Sequence, residues 1–235
     1  MTRRTLAALL IVLVVTACAP AGGAPSPSSG QSAAASVGPS AAAGDCTSTP
    51  SGRALAPPEA TPLAEPPPEP AGDGTLVTLC TDLGNIVIEM FTESSPVAAE
   101  NFVNLAAAGF YDGIIFHRII PGFVIQGGDP EGTGGGGPGY TILDDVVVGE
   151  YERGNVAMAR PANRDGSVVP DSQGSQFFII LDDLRERLPK DGRYAIFGRV
   201  TQGMDVVDAI ASGPTDAGDR PLAPVVIDIA AVRSP

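Results

Sequence analysis

The chain has 235 residues, with 14 Lys+Arg against 27 Asp+Glu and a net charge of −13. A surface this acidic repels phosphate backbones, which argues against nucleic acid as a partner. A single histidine in the whole chain cannot supply the several spaced His, Cys, Asp or Glu ligands of a zinc site, so no metal and no other cofactor is expected.

The first third is not composed to fold. Arg3 and Arg4, the apolar run Leu6 to Val15 and small residues after it form a secretion signal over residues 1–17. The run is shorter than the ~20 apolar residues of a membrane span. Val15-Thr16-Ala17-Cys18 resembles the bacterial lipobox, in which the cysteine becomes the lipidated first residue. That implies an exported protein anchored to the outer face of the cell membrane through Cys18. Residues 18–74, rich in Ala, Pro, Ser and Gly, have little to bury and read as a disordered tether. In an exported protein the remaining Cys46 and Cys80 suggest one disulfide, with two free thiols as the alternative.

Residues 75–235 make one domain of ordinary size and carry 11 Lys+Arg against 22 Asp+Glu. TLVTLCT and GNIVIEMF alternate as strands about a tight turn at Asp82-Leu83-Gly84. SSPVAAENFVNLAAAGF is a helix, capped by Ser94 or Ser95, with Pro96 at its first position and Gly109 at its end. Val97, Phe102, Leu105 and Ala106 recur on its apolar face. The strands GIIFHRII, FVIQGGD, NVAMAR, SQFFIIL and YAIFGRV follow, then a second helix GMDVVDAIAS and a last strand VVIDIAAV. Many short strands with only two helices suggest a mainly β fold, a closed barrel whose ends the helices plug.

Nucleophilic chemistry finds no support: Ser175 lies in QGSQFF rather than a G-x-S-x-G elbow, and nothing local orients His117 as a base. The Gly132–Gly137 run has the count of a phosphate-binding G-x-G-x-x-G but not its strand–helix setting. FHRIIPGFVIQGGD, GTGG, NVAMA, GSQFFI and AIFGRV, in that order, resemble the cyclophilins across essentially all of residues 75–235. The resemblance implies a closed eight-stranded antiparallel barrel capped by two α-helices, and a peptidyl-prolyl cis-trans isomerase acting on proline-containing segments of exported proteins. A proline-peptide binding or chaperone module with negligible turnover is the alternative.

Carried over motif by motif, the resemblance makes Arg118 catalytic, its guanidinium directed at the prolyl nitrogen, with Gln126 orienting it and binding the peptide backbone. Phe123, Val124 and Phe178 would form the proline pocket, and Gln176, Gly132 and the backbone of Ala159-Arg160 would complete the substrate site. Arg160 departs from the family's asparagine. The segment from Pro161 to Gly174 is longer than the family's usual loop. Leu188 matches the family's leucine, without the tryptophan that precedes it there, and Tyr194 stands in place of a histidine. His117 is expected to pack or hydrogen-bond rather than titrate in the reaction. A monomer is expected.

Overall fold

The computed structural model describes residue 46 and residues 54–163, 165, 167–188 and 194–235. The leader, Cys18 and most of the tether lie outside the described residues. The chain runs β1 (Leu76–Thr81), β2 (Gly84–Met90), α1 (Pro96–Ala107), β3 (Ile114–Ile115), β4 (Arg118–Ile120), β5 (Val124–Gly127), β6 (Asn155–Met158), β7 (Phe177–Ile180), β8 (Ile196–Gln202), α2 (Met204–Ala211), β9 (Val226–Ile227) and β10 (Ile229–Arg233). Eight strands form one curled antiparallel sheet in the order β10-β1-β2-β8-β6-β7-β5-β4, and β3 pairs with β9.

The expected closed barrel is corrected here. The eight-stranded ladder ends at β10 and β4, which do not pair with each other. The expected strands at residues 113–120 and 225–232 both break because their halves bond different neighbours. β3 joins β9 while β4 joins β5, and β10 joins β1. The gap is spanned by the β3–β9 ladder and by N–H bonds from Phe116 to the Val225 carbonyl (3.1 Å) and from Ile119 to the Asp219 carbonyl (2.8 Å). Period-2 patterning reports which face is buried, not which strand lies alongside.

Strands buried on both faces explain the near-continuous apolar runs. Ile125, Phe177 and Ile179 face the main core with Phe102, whereas Val124, Phe178 and Ile180 face a second apolar cluster with Phe91, Tyr151 and Leu184. Phe102 of α1 plugs the main core, its ring centroid 4.8–5.2 Å from those of Tyr111, Phe197 and Phe177. Such aromatic pairs contribute about 0.5–1.5 kcal/mol each beyond their buried area.

The N-terminus of α1 is capped differently from the expectation. Ser95 occupies the cap position, but its hydroxyl donates to the Ile196 carbonyl at 2.7 Å and makes no cap bond. The buried carboxylate of Asp145 instead accepts the N–H groups of Ala98 (2.8 Å) and Val97 (3.4 Å). Burial raises the Asp145 pKa to about 6; the two N–H bonds oppose that rise and neighbouring Asp144 adds to it. The folded chain therefore holds a proton on Asp145 between pH ~4 and ~6 that the unfolded chain, near 3.9, has released. Stability from this group is full below the unfolded pKa and is lost as pH rises through about 6, a change on the order of 3 kcal/mol. Asp145→Asn should abolish that fall, so that it appears in full in the difference between the two proteins' pH–stability curves, measured by denaturant unfolding from pH 4 to 7. Parallel curves would refute the assignment.

The last part of the segment read as tether is seated on the domain, which corrects the expectation of a free chain up to residue 74. The N–H groups of Glu59 and Ala60 donate to the Glu100 carboxylate on α1 (3.2 and 2.8 Å), and Ala60 packs against the main core. The Ala71 N–H reaches the Ser94 hydroxyl at 3.1 Å. Cys46 and Cys80 are joined by a disulfide, fastening the segment's start to β1. All described residues belong to one compact unit, residues 40–235.

Candidate active site

The register of four strands builds the site. Arg118 on β4 lies opposite Gln126 on β5, Gln126 lies opposite Phe178 on β7, and Phe178 lies opposite Ala157 on β6. Side chains directly across antiparallel strands share one face, so this row points away from the main core. After Gln126 the chain must turn sharply. Gly128 has φ +87, and a Cβ there would meet the Ser175 carbonyl oxygen at 2.3 Å, so only glycine fits.

Beside the row lies a groove of ≈ 260 Å³. Its walls include nine of the eleven residues expected at a substrate site: Arg118, Phe123, Val124, Gln126, Ala159, Arg160, Phe178, Leu188 and Tyr194. Phe178 and Tyr194 meet edge to face, ring centroids 5.4 Å apart. Residues 189–193, between Leu188 and Tyr194, lie outside the described residues. Ala162, which nothing in the local sequence singled out, also lines the groove.

Two expected residues are not walls of the groove. Gln176 stands behind it, its Oε1 accepting from Gln126 Nε2 at 2.9 Å while its own Nε2 donates to the carbonyls of Gly134 and Gly136. Gly132 turns with φ +65 beside Ile115, and its carbonyl faces Arg220. The loop carrying it is moulded by buried Asp129, whose carboxylate accepts the N–H groups of Glu131, Thr133 and Gly134. Burial alone would raise the Asp129 pKa, but these N–H bonds outweigh it and hold the pKa below the usual value.

The partner of Arg118 is not the expected one. Gln126 spends its amide on Gln176, and the Arg118 guanidinium pairs with Asp219 at 3.5 Å, both side chains 44 % exposed. Asp219 is also held from behind, its carbonyl accepting the Ile119 N–H at 2.8 Å. It lies 101 residues from Arg118 in a polar loop, and no local pattern marks it. His117 is 5 % exposed, and neither ring nitrogen has a hydrogen-bond partner among the described residues. Burial lowers its pKa and keeps the imidazole neutral, so His117 packs. The Arg160 side chain turns inward, 1 % exposed, and pairs with Asp144, which also accepts from Gln173 Nε2 at 2.8 Å. The Ala159 N–H is taken by the Gln176 carbonyl at 2.8 Å.

No metal-holding group of three or more His, Cys, Asp or Glu occurs among the described residues. What the groove offers is an apolar slot with the half-exposed guanidinium of Arg118 at its edge. Residues 76–232 match the sequence model of the family described as "Cyclophilin type peptidyl-prolyl cis-trans isomerase/CLD". The chain belongs to this family. Among its relatives, the "Peptidyl-prolyl cis-trans isomerase ppi1" of Schizosaccharomyces pombe is 42 % identical over 153 residues, 64 % of this chain and 94 % of the relative. The "Probable peptidyl-prolyl cis-trans isomerase A" of Mycobacterium leprae is 42 % identical over 168 residues, 64 % of this chain and 88 % of the relative. A crystal structure of a Cryptosporidium parvum cyclophilin type peptidyl-prolyl cis-trans isomerase, determined in the presence of the dipeptide Ala-Pro, aligns with a TM-score of 0.61 and 34 % identity, covering 68 % of this chain and 99 % of that one. This cyclophilin is therefore a peptidyl-prolyl cis-trans isomerase.

Proposed function

We propose that the groove isomerises X-Pro bonds in exported proteins, with Arg118 as the catalytic residue. The observation that carries this is the guanidinium at the rim of an apolar slot formed by Phe123, Val124, Phe178 and Leu188. Rotation about an X-Pro bond meets a barrier of ~18–20 kcal/mol because it breaks amide resonance, although the two end states lie close in energy. No nucleophile, base or metal is needed to lower it. The slot takes the proline ring, and Arg118 donates to the prolyl nitrogen, which becomes pyramidal and basic only as the bond twists. That interaction is absent from the planar ground state and so lowers the barrier selectively. Asp219 limits the guanidinium's rotamers while leaving donors free. Gln126, anchored by Gln176, presents its remaining polar capacity to the peptide backbone.

The leader and Cys18 support an exported lipoprotein, held at the outer face of the membrane with its groove available to chains emerging there. It works as a monomer without cofactor. Purified residues 19–235 should accelerate isomerisation of Ala-Pro peptides in a protease-coupled assay, unaffected by chelator. A folded but inactive chain would leave only a proline-peptide binding module.

A further inference from the structure

Arg187 is exposed, yet its guanidinium is held in place. Its Cζ lies 4.5 Å from the centroid of the Phe123 ring, and Nη1 donates to the Gly122 carbonyl at 3.2 Å. Its backbone is fixed too: the Arg187 N–H bonds the Leu184 carbonyl at 2.9 Å, and fully buried Leu184 is itself tied to the Tyr151 carbonyl at 2.8 Å. Arg118, Arg153, Arg160, Arg185 and Arg199 all have carboxylate partners. Among the described residues, no carboxylate lies within ion-pair distance of Arg187, although the chain is strongly acidic.

A guanidinium has five N–H donors, and here a single one is committed to protein. The guanidinium lies on the ring of Phe123, which is one of the slot's aromatic walls. Stacking and backbone anchoring remove much of the rotamer entropy that usually weakens an exposed ion pair. A planar fork of this kind matches a carboxylate bidentately.

We propose that Arg187 is a specificity-determining residue, selecting proline segments with an acidic side chain one or two positions from the proline. The chain's overall negative charge opposes acidic peptides at long range. Screening within about 8 Å at physiological salt leaves the nearby guanidinium in control. The inference rests on the groove being the substrate site. Arg187 alters preference and takes no part in the barrier lowering assigned to Arg118.

The test uses residues 19–235 and proline hexapeptides carrying Glu, Gln or Lys at each of the two positions on either side of the proline. Exchange NMR reads turnover without a coupling protease's own preferences, and fluorescence anisotropy reads binding independently. At one flanking position, Glu should exceed Lys in kcat/KM by about three- to tenfold at low salt, through KM, and the ratio should shrink as salt is added. Arg187→Gln should bring the ratio to about one, Arg187→Glu should invert it, and Arg187→Lys should restore part of it. No charge preference in the wild type, or one that survives Arg187→Gln, overturns the inference. So does an equal loss for all three peptides, which would make Arg187 mere cover for Phe123. Charge-selective binding by a chain that does not turn over would sustain it, while sinking the isomerase role of the groove.

Discussion

Arg118→Ala should lower kcat/KM for Ala-Pro peptides by about 10²–10³-fold, the usual consequence of removing one preorganised donor from a developing charge. The loss should fall on kcat, with KM changed little, because the proline slot is made by other side chains and the guanidinium acts on the twisted amide. Arg118 is 44 % exposed and its one ion pair, to Asp219, is long at 3.5 Å. Truncation therefore leaves no buried charge, and unfolding temperature should hardly move, as for most surface substitutions. Arg118→Lys keeps the charge without the planar fork and should recover a minor part of the rate. Asp219→Asn should cost less than Arg118→Ala, since it loosens the guanidinium without removing it. Retention of activity within about threefold in Arg118→Ala would dismiss the guanidinium as the source of the rate enhancement.

How much of this was legible beforehand depended on whether a feature is local. Arg118, Gln126 and Phe178 could be singled out because FHRIIPGFVIQGGD and GSQFFI resemble the family's motifs, whereas the register that sets them in one row belongs to the folded sheet. The apolar run FFII carries a signal of burial on both sides, and β7 is buried throughout. What no local pattern encodes is the partner. Asp219 meets Arg118 across 101 residues, and Asp145 caps α1 from 47 residues beyond Ala98. The serine next to the helix start looked like the cap, but its hydroxyl was drawn to Ile196 by tertiary packing. At the strand breaks near Phe116-His117 and Asp228 the core-facing positions shift by one residue, from Ile114 and Phe116 to Ile119 and from Ile227 to Ala230, a shift that apolar residues on both sides of each break conceal. Composition also misjudged residues 54–74: their Pro- and Ala-rich text offers few apolar groups, but α1 presents Glu100 to otherwise unpaired backbone N–H groups. That is a property of the surface they meet, not of their own residues.

Cys18→Ser should transfer the protein from the membrane fraction to the soluble one almost completely. Cys18 lies outside the described residues, and the expectation follows from Val15-Thr16-Ala17-Cys18 and the leader before it. Each buried CH₂ of an acyl chain contributes about 0.8 kcal/mol, yet one chain holds a protein only marginally, whereas two or more anchor it stably. The apolar run Leu6 to Val15 is about half the ~20 residues that a span requires. Among the described residues, no helix is long and apolar enough to cross a membrane. The net charge of −13 disfavours adsorption to an anionic lipid surface. Replacing the cysteine proposed to carry the lipid should thus remove the attachment, while the groove, lined by residues between 118 and 194, keeps its turnover. Fractionation of cells producing the variant, with Ala-Pro isomerase activity assayed in each fraction, checks both halves. Activity that stays with the membranes would mean that something other than a lipid on Cys18 holds this isomerase in place.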